Sequence, residues 1–275
     1  MAVPPVGPLI AGRRHWHLEG NFWQEDSTCL TWLDQQPEDS VIYVAFGSLT
    51  IFNQYQFQEL ALGLVLSGKR CLWIVLPDLI DDGSEEEDGY YPDGFTDRVS
   101  DRGRIVGWSP KQKVIAHPGI ACFFTHCGWN STTERLSNGV PFLCWPYNSD
   151  QFLNMAYITN VWKVGLEVKA ESGDGIISGE VIRRKLDELV GAKEIRARSL
   201  EPKALERKNH FGAFTWHQTE DELTNTIRKT GKKIKLNGEA GYRSPYLSHA
   251  KRALYHLSYI PLMTILQILN IQFVK

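Results

Sequence analysis

The sequence predicts an α/β protein whose parallel sheet is covered by helices on both faces and is followed by an irregular C-terminal tail. Two observations predict it. Short apolar runs rich in β-branched and aromatic residues recur without polar alternation, as strands buried on both faces require. Between them lie segments of helical period joined by short Gly- and Pro-marked loops, the pattern of βαβ units.

The first run, VIYVAFGS (41–48), ends at Gly47-Ser48. Asn53 can cap the helix that follows, Phe57, Leu60, Ala61 and Leu64 recur at helical spacing, and Gly68 stops it before a second strand, CLWIVLP (71–77). SEEEDGYYPDG (84–94) has no period and five acidic residues, and reads as a solvated loop. The alternation resumes with strand RIVGW (104–108), a short helix around Gln112 to Ala116, and strand IACFFTH (120–126). A helix from about 131, strand PFLCW (141–145), a helix over about 151–161 and strand GLEVK (165–169) follow. Ser178 can cap a last clear helix, with Val181, Leu186, Leu189 and Val190 on one side, and SGDG (172–175) reads as a surface turn. After about Lys208 basic clusters and scattered aromatics carry no sustained period.

Composition narrows the function. The 275 residues with 43% hydrophobic content support an ordinary core, and 30 basic against 32 acidic residues leave no basic stripe for a nucleic acid. Five cysteines, odd in number and mostly inside apolar runs, do not make a disulfide scaffold and fit a reducing cytoplasm. The N-terminus is apolar first and basic afterwards, the reverse of a secretory signal. The oily final stretch is broken by Pro261, Gln267, Asn270 and Gln272, so no membrane span is expected.

The chemistry concentrates at THCGWNSTTE (125–134). A metal site is disfavoured: Cys122 and His126 share a strand face, Cys127 points to the other, and no second ligand pair closes a tetrahedron. A nucleophilic Cys127 lacks a marked base, and a small buried thiol is the simpler reading. Phosphate suits the stretch, because Gly128 allows close approach and Asn130-Ser131 open a helix whose amides and dipole favour an anion. Ser131-x-x-Glu134 also has the spacing of a capping box, and local physics alone does not choose between the two.

The surroundings extend the pattern. Trp108-Ser109-Pro110, His126 to Glu134, and Trp145 to Gln151 end three successive strands, within 44 residues counted inclusively from Trp108 to Gln151. This window, W-S-P-K-Q-K-V-I-A-H-P…H-C-G-W-N-S-T-T-E…W-P…D-Q, closely resembles the donor-binding box of the plant UDP-dependent glycosyltransferases. The flanks GNFWQEDSTCLTWLDQQPEDSVIYVAFGS and NMAYITNVWKVGL are similar as well, so the resemblance runs from about Val6 to about Lys208.

The resemblance implies the C-terminal, donor-binding domain of a GT-B fold built of two Rossmann-like domains. Residues 1–20 then correspond to an interdomain linker, 21–208 to the nucleotide-sugar domain and 209–275 to a divergent tail. By similarity Trp108 stacks on uracil, the Ser109 backbone meets the base edge, and Ser48, His126, Asn130 and Ser131 hold the diphosphate beside Gly128. Glu134 takes the ribose hydroxyls, Asp150 and Gln151 those of the sugar, and the Trp129 backbone approaches it. A final Gln accompanies glucose in this family, which implies UDP-glucose as donor and inverting transfer to a hydroxyl of a small metabolite such as a flavonoid, another phenolic or a terpenoid. Neither metal nor cofactor is expected, and a monomer is. Lys111 stands with these residues at a UDP-sugar-binding position but departs from the family's usual Gln, with a Gln at 112 instead, and Asn148-Ser149 replace an aromatic and a small residue. The family's catalytic histidine and its aspartate belong to an acceptor domain preceding this region. His15 and His17 do not match their motif, so no catalytic residue is assigned. A UDP-sugar-binding fragment without catalysis is the alternative.

Overall fold

The computed structural model describes residues 24–48, 50–76, 79 and 90–206, with the side chains of 202–206 excepted. The linker-like segment 1–20, most of the acidic loop and the tail 209–275 lie outside the described residues.

Six strands make one parallel sheet: β1 Val41–Ala45, β2 Arg70–Ile74, β3 Gly103–Val106, β4 Ile120–Thr125, β5 Phe142–Cys144 and β6 Gly165–Glu167, in the order β3-β2-β1-β4-β5-β6. The chain builds outward from β1 in one direction, returns to lay β4 against β1, and builds outward in the other. In such sheets ligands bind beyond the carboxyl ends of the strands at that reversal. Here Ala45 sits level with Thr125, so Phe46-Gly47-Ser48 and His126-Cys127-Gly128 leave the sheet side by side.

The uninterrupted apolar runs are explained by cover on both faces. Ile42, Val44, Trp73, Cys122 and Phe124 pack with Phe57, Leu60 and Leu64 of helix α2 (Gln54–Ser67) and with Ile182 and Leu186 of α7 (Gly179–Gly191). Tyr43, Leu72, Phe123 and Phe142 face the other way, against Val114 and Ile115 of α4 (Lys111–Ala116) and Leu136 of α5 (Trp129–Asn138). The side-chain period of two sends neighbours in each strand to opposite cores.

The caps behave as their sequence implies. Asn53 Oδ1 accepts from the Gln56 N–H at 2.8 Å, Gly68 ends α2 in the left-handed region, and Ser178 Oγ accepts from Val181 at 3.4 Å. Val190 is the exception: it is 45% exposed, and Ile182, about two turns earlier, lies in the core instead. The helix expected over 151–161 is α6 (Gln151–Ala156) followed by a π-helical turn, Tyr157–Val161. Three helices escaped the periodicity: α1 (Thr28–Leu33), α3 (Phe95–Val99) and α8 (Lys193–Glu206). The first two are too short for a period to declare itself. No helix among the described residues is long and apolar enough to cross a membrane.

Candidate functional site

The cleft at the carboxyl ends of β1 and β4 is built around one imidazole. His126 follows β4 directly, and two glycines leave room for its ring: a Cβ on Gly47 would lie 2.8 Å from Cε1, and one on Gly128 would lie 2.6 Å from Nε2. Gly47 also has φ +74°, which a side chain would strain. Burial, reinforced by the positive charge of Lys111, pushes the imidazole down to about 4, against a smaller upward pull from the Ala45 backbone. It is therefore neutral at physiological pH and acts as a hydrogen-bonding group, not a cation.

Cys127 turns the chain from strand to helix with φ 66°, uncommon for a residue with a Cβ. Its thiol is wholly buried with Cys144, whose own thiol burial pushes far up, so the simpler reading of Cys127 as a core residue holds.

The helix begins earlier than expected. Gly128 is the N-cap of α5, without a side-chain cap, and Thr132 N–H donates the first helical bond to the Gly128 carbonyl at 2.9 Å. Ser131 is thus the third helical residue, and the capping box with Glu134 does not form. The reason is the tight Cys127-Gly128 turn, which starts the helix two residues before the serine. The amides of Asn130 and Ser131 lie ahead of the first helical bond, at the helix's positive end. Glu134 pairs instead with Lys111, whose Nζ lies 2.8 Å from Oε2 and 3.5 Å from Ser131 Oγ.

Trp108 and Ser109 follow β3. Trp108 is half-buried against the core, its carbonyl accepting from Asp26 N–H at 2.9 Å, which anchors the segment before α1 to this strand end. The Ser109 hydroxyl bonds the Tyr43 hydroxyl at 3.0 Å inside the core, so only the backbone of Ser109 is left to face the cleft. Burial drives the Tyr43 phenol far up, and it stays a neutral partner. Ser48 is exposed beyond β1.

The far side of the cleft is arranged differently. Gln151 is 6% exposed, and its Oε1 accepts from the N–H groups of Tyr147 and Asn148 at 2.8 and 2.9 Å while Nε2 donates to Asn148 Oδ1 at 3.1 Å. The carboxamide is mostly occupied in shaping the loop after β5. Asn154, a residue the sequence reading missed, ties that loop to the cradle: its buried Nδ2 donates to the Cys127 carbonyl at 2.9 Å and to Asp150 Oδ2 at 3.0 Å. Its spacing of i+4 from Asp150 was the available signal. Arg135 was missed too. It is wholly buried in α5, its guanidinium 5.2 Å from the Phe123 ring centre and 3.4 Å from the Ile115 carbonyl, and burial pushes it down to about 9.

One histidine–aspartate pair looks catalytic and is not placed for it. His117 Nε2 lies 3.1 Å from Asp34 Oδ1, with Nδ1 accepting from Gly119 N–H at 3.1 Å. Both residues precede the strands they lead into, at the amino ends of β1 and β4 and so opposite the cleft, where the pair pins α1 to the start of β4.

The family model for UDP-glucoronosyl and UDP-glucosyl transferase matches residues 23–186, which contain the whole cleft. The chain belongs to that family. As a UDP-glucosyltransferase homologue it is 47% identical over 193 residues to the DIMBOA UDP-glucosyltransferase BX8 of Zea mays, covering 70% of this chain and 40% of the relative. It is 39% identical over 234 residues to UDP-glycosyltransferase 85A1 of Arabidopsis thaliana, covering 81% and 46%. Among solved structures, Phytolacca americana UGT2 complexed with UDP-2fluoro-glucose and pterostilbene matches with a TM-score of 0.60 at 35% identity, over 74% of this chain and 44% of that one. Os79 from O. sativa in complex with UDP matches with a TM-score of 0.62 at 28% identity, over 76% and 44%. The chain thus spans less than half the length of these relatives.

Proposed function

We propose that this chain carries the UDP-glucose site of a glucosyltransferase that acts, as a whole protein, on a hydroxyl of a small plant metabolite with inversion. The observation that carries this reading is the cradle between β1 and β4: a neutral imidazole set between two glycines, beside a helix end whose first amides lie ahead of its hydrogen-bond ladder. Such an end receives a diphosphate through N–H donors and the helix dipole. Inverting transfer breaks the bond between the anomeric carbon and the β-phosphate oxygen, and charge builds on that oxygen as UDP departs. Donors fixed beforehand at the helix end and at His126 stabilise it as it develops.

In this reading Trp108 stacks on uracil, the Ser109 backbone pairs with the base, and Glu134 accepts from the ribose hydroxyls. Ser48, His126, Asn130 and Ser131 surround the diphosphate, Lys111 lies among them, and the Gly128-Trp129 backbone lets the sugar approach. Asp150 contacts the glucose, while Gln151 acts chiefly by holding the loop that presents Asp150. Attack requires a base that deprotonates the acceptor, and that base is assigned to a part of the enzyme other than the described residues. Relatives named for DIMBOA, 7-deoxyloganetic acid, gallate and limonoid glucosylation, and solved relatives holding pterostilbene or a trichothecene, support a small polycyclic or phenolic acceptor. The five cysteines, all buried and free, support a reducing cytoplasmic setting.

The test is calorimetric titration of the purified chain with UDP and UDP-glucose, alongside Trp108→Ala and Ser131→Ala. Base stacking is worth roughly 1–3 kcal/mol, so Trp108→Ala is expected to weaken UDP by about tenfold or more. A folded chain that gives no heat with either ligand would sink the reading. A second reading is a UDP-sugar-binding module without catalysis, since no base for an acceptor is assigned among the described residues. Hydrolysis or transfer of the glucosyl group by this chain alone would exclude it.

A further inference from the structure

We propose that Lys111 is the cationic ligand of the nucleotide's diphosphate, and that it exchanges the Glu134 carboxylate for phosphate when the nucleotide binds. The inference rests on the donor-site reading above and adds a charge exchange to it. Lys111 opens α4 and reaches across to the first turn of α5, where its Nζ lies 2.8 Å from Glu134 Oε2 and 3.5 Å from Ser131 Oγ. An ammonium at this point is opposed by the helix, since the first turn carries the positive end of the dipole and favours anions. The Glu134 carboxylate is what holds it there.

A uridine diphosphate supplies both halves of a replacement. Its ribose hydroxyls are donors for the carboxylate, and its phosphates are acceptors for the ammonium, so neither charge is left bare when the pair separates. The Lys111 side chain keeps 33% of its exposure against 16% for Glu134, so the lysine is the partner whose head can swing on its flexible stem, and the ribose donors cover the carboxylate it leaves. The cradle otherwise offers the diphosphate neutral donors, because the imidazole carries no charge near neutral pH, and Lys111 is the charged group whose field His126 feels. A lysine that moves from carboxylate to phosphate therefore selects for the charged part of the ligand. It adds nothing to a nucleoside, for which the pair must open without a phosphate to receive it.

The experiment titrates the full chain with UDP and with uridine, at low and at moderate salt, for the wild type, Lys111→Gln and Lys111→Arg. The expected result is that Lys111→Gln weakens UDP by about tenfold, leaves uridine within about twofold, and flattens the salt dependence of UDP binding. Lys111→Arg, which keeps the charge and reports on folding, is expected to stay within about threefold of the wild type for both ligands. Equal weakening of UDP and uridine would overturn the proposal, since the lysine would then act only by orienting Glu134 toward the ribose. Unchanged or tighter UDP binding in Lys111→Gln would overturn it as well, making the lysine a plug on the carboxylate. A wild-type chain that binds neither ligand would instead remove the donor-site reading on which the inference stands, and that result is visible before any variant is made.

Discussion

The two sides of the cleft hold their polar groups by opposite means. At the junction of β1 and β4 the polar groups stand at the ends of elements, and space is kept for them: two glycines frame His126, a left-handed Cys127 turns the chain, and α5 starts early enough to leave amides ahead of its ladder. On the side of the loop after β5 the polar side chains are spent on each other, with Gln151 holding Tyr147 and Asn148 and with Asn154 holding Asp150. The first side is preorganised by backbone, the second by a side-chain network. A backbone cradle is broken by adding an atom; a network is broken by removing one.

The largest effect is therefore expected from an added methyl. Gly47→Ala places a Cβ 2.8 Å from the His126 ring and forces a side chain into φ +74°, so it combines ring displacement with backbone strain. UDP affinity is expected to fall by about a hundredfold, roughly 3 kcal/mol. Gly128→Ala, with φ −60°, separates the two causes, because its Cβ meets Nε2 at 2.6 Å without conformational strain. Comparable loss of UDP affinity in both variants, with a larger fall in melting temperature for Gly47→Ala, assigns binding to the ring's position. If Gly128→Ala binds UDP like the wild type, the imidazole is not part of the cradle.

The network is tested by deletion. Gln151→Ala leaves two partly buried backbone N–H groups without their acceptor, which costs on the order of 2 kcal/mol in stability. If the glutamine works by shaping the loop, the preference of the chain for UDP-glucose over UDP falls together with that stability, and Asn154→Ala reproduces the pattern. Loss of the preference in Gln151→Ala at unchanged stability, with Asn154→Ala indistinguishable from the wild type, would identify a direct sugar contact in place of the network.

How much of this was legible in the sequence follows the same division. The strands are uninterrupted apolar runs because both faces are covered, and a run such as VIYVAFGS declares that without help. Gly128 and the helix opened by Asn130-Ser131 suit an anion, a reading that stood level with a capping box because Ser131 and Glu134 have the right spacing for one. What removed the capping box was the Cys127 turn, a backbone conformation that no residue type at that position advertises. The partner choices of Gln151, Asn154 and Lys111 were invisible for another reason: each joins segments that only the sheet order brings together or turns a side chain inward from a loop. His117 and Asp34 meet for the same reason, since the sheet order brings the amino ends of β4 and β1 together.

The next effect in size concerns protons and sharpens the description of the cradle. The His126 imidazole is lowered from 6.5 to about 4 in the folded chain. Between those values the unfolded chain binds a proton that the folded chain refuses, so stability is expected to fall as pH drops from about 6.5 toward 4 and to be insensitive to this group above about 7. The ring is partly exposed, and the loss is set at about 1–2 kcal/mol after allowing for solvent screening. Urea midpoints of the wild type and His126→Gln measured from pH 4 to 7 test it. Parallel curves would mean that the ring titrates as it does in the unfolded chain and that the site is wetter than its packing implies.

The smallest effect lies beneath the cradle, where Arg135 carries a charge into the core. Its Nε and Nη2 find no hydrogen-bond partner among the described residues, and what holds it is the Phe123 face and a long contact to the Ile115 carbonyl. Burying a cation so poorly compensated is costly, and an apolar residue of similar reach is often neutral or better at such a position. Arg135→Met is therefore expected to raise stability by about 1 kcal/mol while leaving UDP affinity unchanged, because the side chain is buried against Phe123 in the core and not at the helix end proposed for the diphosphate. A gain in stability with unchanged affinity would show that the cradle is held by its glycines and its turn and not by the charge below it. A variant that folds as well but binds UDP more weakly would mean that the guanidinium fixes where α5 begins, and the backbone side of the cleft would then depend on a side chain after all.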